Sequence, residues 1–201
     1  MAPLHTLVLF VALLNLTARP VTALWPLPRS MQTGTTPLIL SQNFQVSVNN
    51  SVFPEDLLEA IAQMEHYLWN DRLERLVVGR GAADAQAIAG AEVLTSLTVT
   101  LVHNGPALSV AQEAIDYPEN RDEEYSLIVP TDGSPAVLTA NSTLGLYRGL
   151  TTFSQLWYFY AGTVYTLDAP IHILDSPAYV CNPMFLQVLY RLDLSVSPIV
   201  D

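Results

Sequence analysis

Residues 93–102 alternate without a break: Val93, Thr95, Leu97, Val99 and Leu101 on one side, Leu94, Ser96, Thr98, Thr100 and Val102 on the other. A period of two sustained this long and rich in β-branched residues predicts a β-strand, so the fold must be built on a sheet. Two further extended runs, 125–129 and 136–140, flank Pro130-Thr131-Asp132-Gly133-Ser134-Pro135. A loop of such turn-forming residues between extended runs predicts a hairpin. Shorter apolar bursts at 38–40 and 44–48, split by Ser41-Gln42-Asn43, read as two strands around a turn. The runs 164–167 and 171–174, split by Asp168-Ala169-Pro170, read as two more, ended by Asp175-Ser176-Pro177.

Helical spacing occurs in two places. Pro54 stands where a first helical residue tolerates proline, with Glu55 and Asp56 in the first turn and Arg72 and Arg75 near the end, all complementing the macrodipole. Leu57, Ile61, Met64 and Leu68 form a single apolar stripe, which leaves Glu59, Glu65 and Asp71 to water. The second helix is different. Leu146, Leu150, Phe153 and Trp157 share one face, and Leu144, Tyr147 and Leu156 extend the apolar surface around the cylinder. Such a helix is buried on most sides, and Gly145 and Gly149 predict close approach to a sheet. The Ala- and Gly-rich segment 79–90 has neither period nor good caps and reads as a mobile surface excursion. The expected fold class is α+β: a two-layer arrangement of a small, mostly antiparallel sheet backed by two helices.

The start of the chain reads as a secretory leader. Residues 7–16 are almost wholly apolar, Val21-Thr22-Ala23 supplies small residues, and cleavage is expected after Ala23. The run is too short to span a bilayer, so no membrane association is expected once the leader is removed. Asn49-Asn50-Ser51 and Asn141-Ser142-Thr143 are N-glycosylation acceptors, with Asn49 and Asn141 as the modified residues, and extracellular secretion follows as the expected destination. The lone Cys181 is unusual for an oxidising compartment.

Composition narrows the function. With 50% hydrophobic and 13% charged residues the chain can bury a core. Net charge is −11, all eight basic residues are Arg and none cluster, which leaves nucleic acid nothing to bind. His5, His66, His103 and His172 show no ligand spacing, so no metal or other cofactor is expected. No Gly-x-Ser-x-Gly elbow is present. The one acidic cluster, Asp122-Glu123-Glu124, follows Glu119, Asn120 and Arg121, which are polar and include no aromatic residue to raise a carboxyl pKa. It reads as a solvated turn rather than as a general acid and base pair.

Several segments resemble the N-terminal domain of glycoside hydrolase family twenty, the β-N-acetylhexosaminidases, in their eukaryotic and especially fungal form. They are Leu24-Trp25-Pro26-Leu27-Pro28; Glu124-Tyr125-Ser126-Leu127; the run from Ala140 through Gly145-Leu146-Tyr147-Arg148-Gly149-Leu150-Thr151-Thr152-Phe153-Ser154-Gln155-Leu156; and Ile173 with Asp175-Ser176-Pro177. The resemblance covers residues 24–179. It implies a zincin-like sheet backed by two helices that binds no zinc. In the family a (β/α)8 barrel follows, and there the substrate's own acetamido group attacks the anomeric carbon. An Asp orients that group and the adjacent Glu protonates the leaving oxygen, so that terminal N-acetylhexosamine is released from glycoconjugates or chitin oligomers.

The His-x-Gly-Gly-Asp-Glu motif that carries this chemistry is absent from the chain, and Asp122-Glu123 is not its equivalent. The family's sugar-contacting Arg-Gly is also missing, because Tyr179 is followed by Val180-Cys181-Asn182-Pro183-Met184-Phe185. The resemblance therefore implies no catalytic residue here. The division expected is a leader over 1–23, an accessory domain over 24–179 whose partner is the absent barrel, and an unmatched, poorly ordered tail over 180–201 that a truncated or mis-spliced reading would produce. N-acetylhexosaminides enter only through the family. The alternative is a secreted binding or regulatory isoform that pairs with a full-length enzyme or with glycans. A product with no separate function, its barrel-facing surface exposed, is a third reading.

Overall fold

A computed structural model describes residues 24–49, 53–70, 80–102, 106–115 and 121–176. The expected leader and its cleavage site at Ala23, the tail over 180–201 with Cys181, and His5, His103, Arg72, Arg75 and Asp71 lie outside these residues.

Among the described residues six strands and four helices follow in the order β1 (Ser30–Asn49), α1 (Glu55–Asn70), α2 (Ala85–Ala89), β2 (Glu92–Leu101), α3 (Val110–Ile115), β3 (Tyr125–Val129), β4 (Ala136–Ala140), α4 (Thr143–Gln155), β5 (Tyr158–Tyr160) and β6 (Thr163–Asp175). The sheet runs β1-β2-β4-β3-β6-β5, and β1 also pairs with β6. Pairing is parallel for β1 with β2 and for β2 with β4, and antiparallel for β1–β6, β3–β4, β3–β6 and β5–β6. The expected small, mostly antiparallel α+β sheet is the one observed.

The strand read from alternation and the hairpin read from its turn are both present as expected. In the hairpin turn the Ser134 backbone N–H donates to Asp132 Oδ1 at 3.1 Å. The two interrupted readings are corrected. Residues 38–40 and 44–48 belong to one strand, β1, and 164–167 and 171–174 to another, β6. The turn-forming residues became irregularities within a strand because the paired residues before and after them keep the chain running in one direction. β1 gives its first half to β6 and its second half to β2, and its register with β2 shifts between Leu40 and Gln45. On β6, Ala169 pairs with Thr36 between two register shifts, an irregularity of the kind that accepts a strand proline such as Pro170.

The mobile excursion is also corrected. Its described part is a turn leading into α2, and it is tied to the sheet. The Gly81 N–H donates to the Tyr165 hydroxyl at 3.0 Å, and that hydroxyl donates to Asp84 Oδ2 at 2.8 Å. Arg80 approaches Asp84 at 3.7 Å and lies 4.9 Å over the Tyr158 ring. No periodicity could signal this segment, because its partners are some eighty residues away in sequence. Two short elements had no expectation at all: α3, and β5 with its two-residue connection Ala161-Gly162, both at positive φ as a type I′ turn requires.

The core lies between the inner sheet face (Leu38, Leu97, Val99, Leu127, Leu138, Ile171) and the helices. In α1 the buried residues are Leu57, Ile61, Met64 and Leu68, the expected stripe, and Glu59 is exposed. Glu65 is not left to water, because its Oε1 accepts from the Val46 N–H at 3.1 Å. α4 rests on β2, β3 and β4, and α1 and α3 pack against it, which is why its apolar residues surround the cylinder. Among the described residues no helix is long and apolar enough to cross a membrane.

Candidate functional site

All four segments singled out in the sequence meet at one end of the domain, where the chain enters through Leu24 and β6 leaves at Asp175. Gln155, from the last turn of α4, grips the backbone of Trp25 at both polar atoms. Its Oε1 accepts from the Trp25 N–H at 2.7 Å and its Nε2 donates to the Trp25 carbonyl at 3.0 Å. Leu24 is buried beside this clamp, while the Trp25 side chain is 84% exposed and Leu27 67% exposed. The clamp fixes the incoming chain and leaves an indole in solvent.

Asp175, at the end of β6, is buried and accepts on both oxygens. Oδ1 takes the Arg29 N–H at 3.0 Å and Oδ2 takes the Tyr125 hydroxyl at 3.4 Å. The same hydroxyl lies 2.6 Å from Thr152 Oγ1 on α4. Burial is the main reason the Tyr125 phenol is pushed up to about 12; its bond to Thr152 pulls it down, and the Asp175 carboxylate pushes it up further.

Next to this set, Arg148 Nε on α4 donates to Glu123 Oε2 at 2.8 Å, with side chains only 19% and 6% exposed. The solvated reading of Asp122-Glu123-Glu124 is therefore corrected. Asp122 caps its own turn by accepting from the Glu124 N–H at 3.0 Å, but Glu123 points inward and is paired. Local polarity suggested solvent exposure; the partner that draws Glu123 in comes from a helix 25 residues later. Buried Arg148 Nη2 has no hydrogen-bond partner among the described residues.

Helix α4 can reach this network because of its glycines. A Cβ on Gly145 would fall 2.5 Å from the Glu124 carbonyl oxygen, and one on Gly149 would overlap the terminal methyls of Leu138. The close approach expected from the sequence is present, against β4 and the residue entering β3. Ser142 caps the helix, its Oγ accepting from the Gly145 N–H at 2.8 Å and donating to the Asp122 carbonyl.

The chemistry this arrangement permits is limited. Among the described residues the buried carboxylates, Glu123 and Asp175, are engaged by donors. His66 lies beside Asn70 on the exposed side of α1, and His172 is on the exposed side of β6. Among the described residues no three His, Cys, Asp or Glu side chains gather closely enough to hold a metal ion. At the opposite end, half-burial pushes the Asp168 carboxyl up and Arg80 partly offsets it; desolvation and Asp84 hold the Tyr165 phenol far above its ordinary range. Asn49 lies exposed at the end of β1, and Asn141 lies exposed between β4 and α4.

Residues 24–156 match the family described as beta-acetyl hexosaminidase like. The chain belongs to this family. Among curated hexosaminidases, the β subunit of mouse β-hexosaminidase is 33% identical over 168 residues, covering 81% of this chain and 28% of that protein. β-Hexosaminidase 3 of Arabidopsis thaliana is 26% identical over 169 residues, covering 78% and 28%. The chain thus spans little more than a quarter of the length of the hexosaminidases it matches. A chitobiase from Flavobacterium johnsoniae shares the fold, with a TM-score of 0.50 and 21% identity over 78% of this chain and 21% of that one. The hexosaminidase N-terminal domain expected from the motifs is the domain found, and its motif residues are those of the buried network.

Proposed function

We propose that this chain is the accessory N-terminal domain of a secreted β-N-acetylhexosaminidase of fungal type, without catalytic residues of its own. Its work is to pack against and steady the (β/α)8 barrel of such an enzyme, which hydrolyses terminal N-acetylhexosamine from glycoconjugates or chitin oligomers. The observation that carries this reading is where the family residues go. Trp25, Tyr125, Arg148, Thr152, Gln155 and Asp175 fasten the entry and exit of the domain to helix α4, and their polar atoms are spent on one another and on the backbone. Side chains placed this way hold two chain segments at a set angle, which is what a domain joined to a larger body requires.

Residues 1–23 serve as a leader cut after Ala23, and Asn49 and Asn141 carry glycans. The purified chain is expected to cleave no aryl N-acetylglucosaminide above a blank. Turnover that copurifies with the chain and survives removal of contaminating hexosaminidase would overturn the proposal.

The exposed indole of Trp25 with Leu27 beside it favours a second reading, a regulatory isoform that docks on a full-length enzyme. Capture of such an enzyme by the chain, lost in Trp25→Ala, would support it.

A further inference from the structure

We infer that Asn141 accepts an N-glycan only before the domain folds, because folding buries the hydroxyl that makes Asn141 an acceptor. This rests on the secretory route proposed above. In an Asn-x-Thr acceptor the transferase must read the hydroxyl of the third residue as well as the amide of the first. Asn141 is exposed, but Thr143 is completely buried. Its Oγ1 lies within donating reach of the Leu108 carbonyl at 2.9 Å and of Glu113 Oε2 at 2.8 Å. The same carboxylate oxygen accepts from the Leu144 N–H at 2.6 Å, and the middle residue, Ser142, is buried as the helix cap. Offering the hydroxyl to an enzyme would require α3 to leave and the first turn of α4 to unwind.

The transfer itself needs a polyisoprenyl-diphosphate-linked oligosaccharide. The Asn141 amide nitrogen attacks the sugar's anomeric carbon, a C–N bond forms, the C–O bond to the diphosphate breaks, and the polyisoprenyl diphosphate leaves as the amide loses one proton to an enzyme base. Once attached, the glycan projects from an exposed side chain and leaves the bonds of Ser142 and Thr143 free to form. The modified chain then closes to the same structure. Asn141 occupancy therefore records whether the transferase met the chain ahead of folding.

The test gives purified oligosaccharyltransferase and a lipid-linked oligosaccharide to the unglycosylated full chain and to Leu150→Asp, a variant that cannot bury its core. Asn141→Gln serves as the mass control. Transfer to Asn141 should be at least about tenfold slower on the folded chain, since the hydroxyl is released only by local opening. Equal rates would overturn the inference, as would failure of Leu150→Asp to be modified. Amide exchange at Leu144 and Gly145 in the same buffer reports whether the cap is closed, and rapid exchange there would also overturn it. The secretory reading fails separately: a chain kept in the cytosol of eukaryotic cells would be unmodified at both Asn49 and Asn141 while the contrast between the purified chains persisted.

Discussion

Helices α1 and α4 carry similar amounts of apolar side chain, yet they are held in opposite ways. α1 buries one stripe and shows its other side to water, so any residue that favours a helix serves on the exposed side. α4 has the sheet on one side and α1 and α3 on others; a methyl at Gly145 would meet backbone and one at Gly149 would have to displace the Leu138 side chain. In α1 the helix selects its residues. In α4 the surroundings do, and the polar side chains Arg148, Thr152 and Gln155 are each assigned to a partner outside the helix.

The strongest way to break this contrast is to remove one partner. Glu123→Leu leaves the Arg148 guanidinium buried without its carboxylate and should cost about 3 kcal/mol in denaturant unfolding. Adding Arg148→Met should restore most of the loss, and a double variant no more stable than the single one would show that the pair was not the cause. A smaller effect is expected from exchanging glycine and alanine between the helices. Gly145→Ala should destabilise by about 2 kcal/mol, although alanine is the better helix former, because its methyl meets the Glu124 carbonyl.

Tyr125 ties the contrast to pH. Its folded pKa lies above the unfolded value, so its contribution is complete below pH ~10 and is lost as pH rises toward about 12. Over that interval the domain should lose about 2 kcal/mol, after discounting for partial solvent screening, and Tyr125→Phe should flatten the loss in an alkaline melting series. The smallest effect belongs to α1. Ala62→Gly, at an exposed position, should cost about 1 kcal/mol through helix propensity alone, so alanine is the better residue here and glycine the better one at 145. A gain in stability on Gly145→Ala would erase the distinction between the two helices.

The sequence by itself determined the elements whose cause is local. The strand β2, the turn between β3 and β4, the stripe of α1 and the all-round apolar surface of α4 come from patterns of neighbours and are present, although the sides of β2 hold as read only from Leu97 on, since Leu94 is buried and Val93 exposed. It also carried the family, through residues whose purpose it did not reveal. Only tertiary structure decided what depended on distant partners. Ser41-Gln42-Asn43 and Asp168-Ala169-Pro170 look like chain reversals until the pairing of the residues around them among β1, β2 and β6 carries each strand through. Glu123 looks solvated until Arg148 reaches it, and the segment after Arg80 looks loose until Tyr165 fastens Gly81 and Asp84. The physical reason is the same in each case. A hydrogen bond or ion pair across 25 to 84 residues leaves no periodic trace, and the burial that makes it worthwhile exists only when the chain has come together.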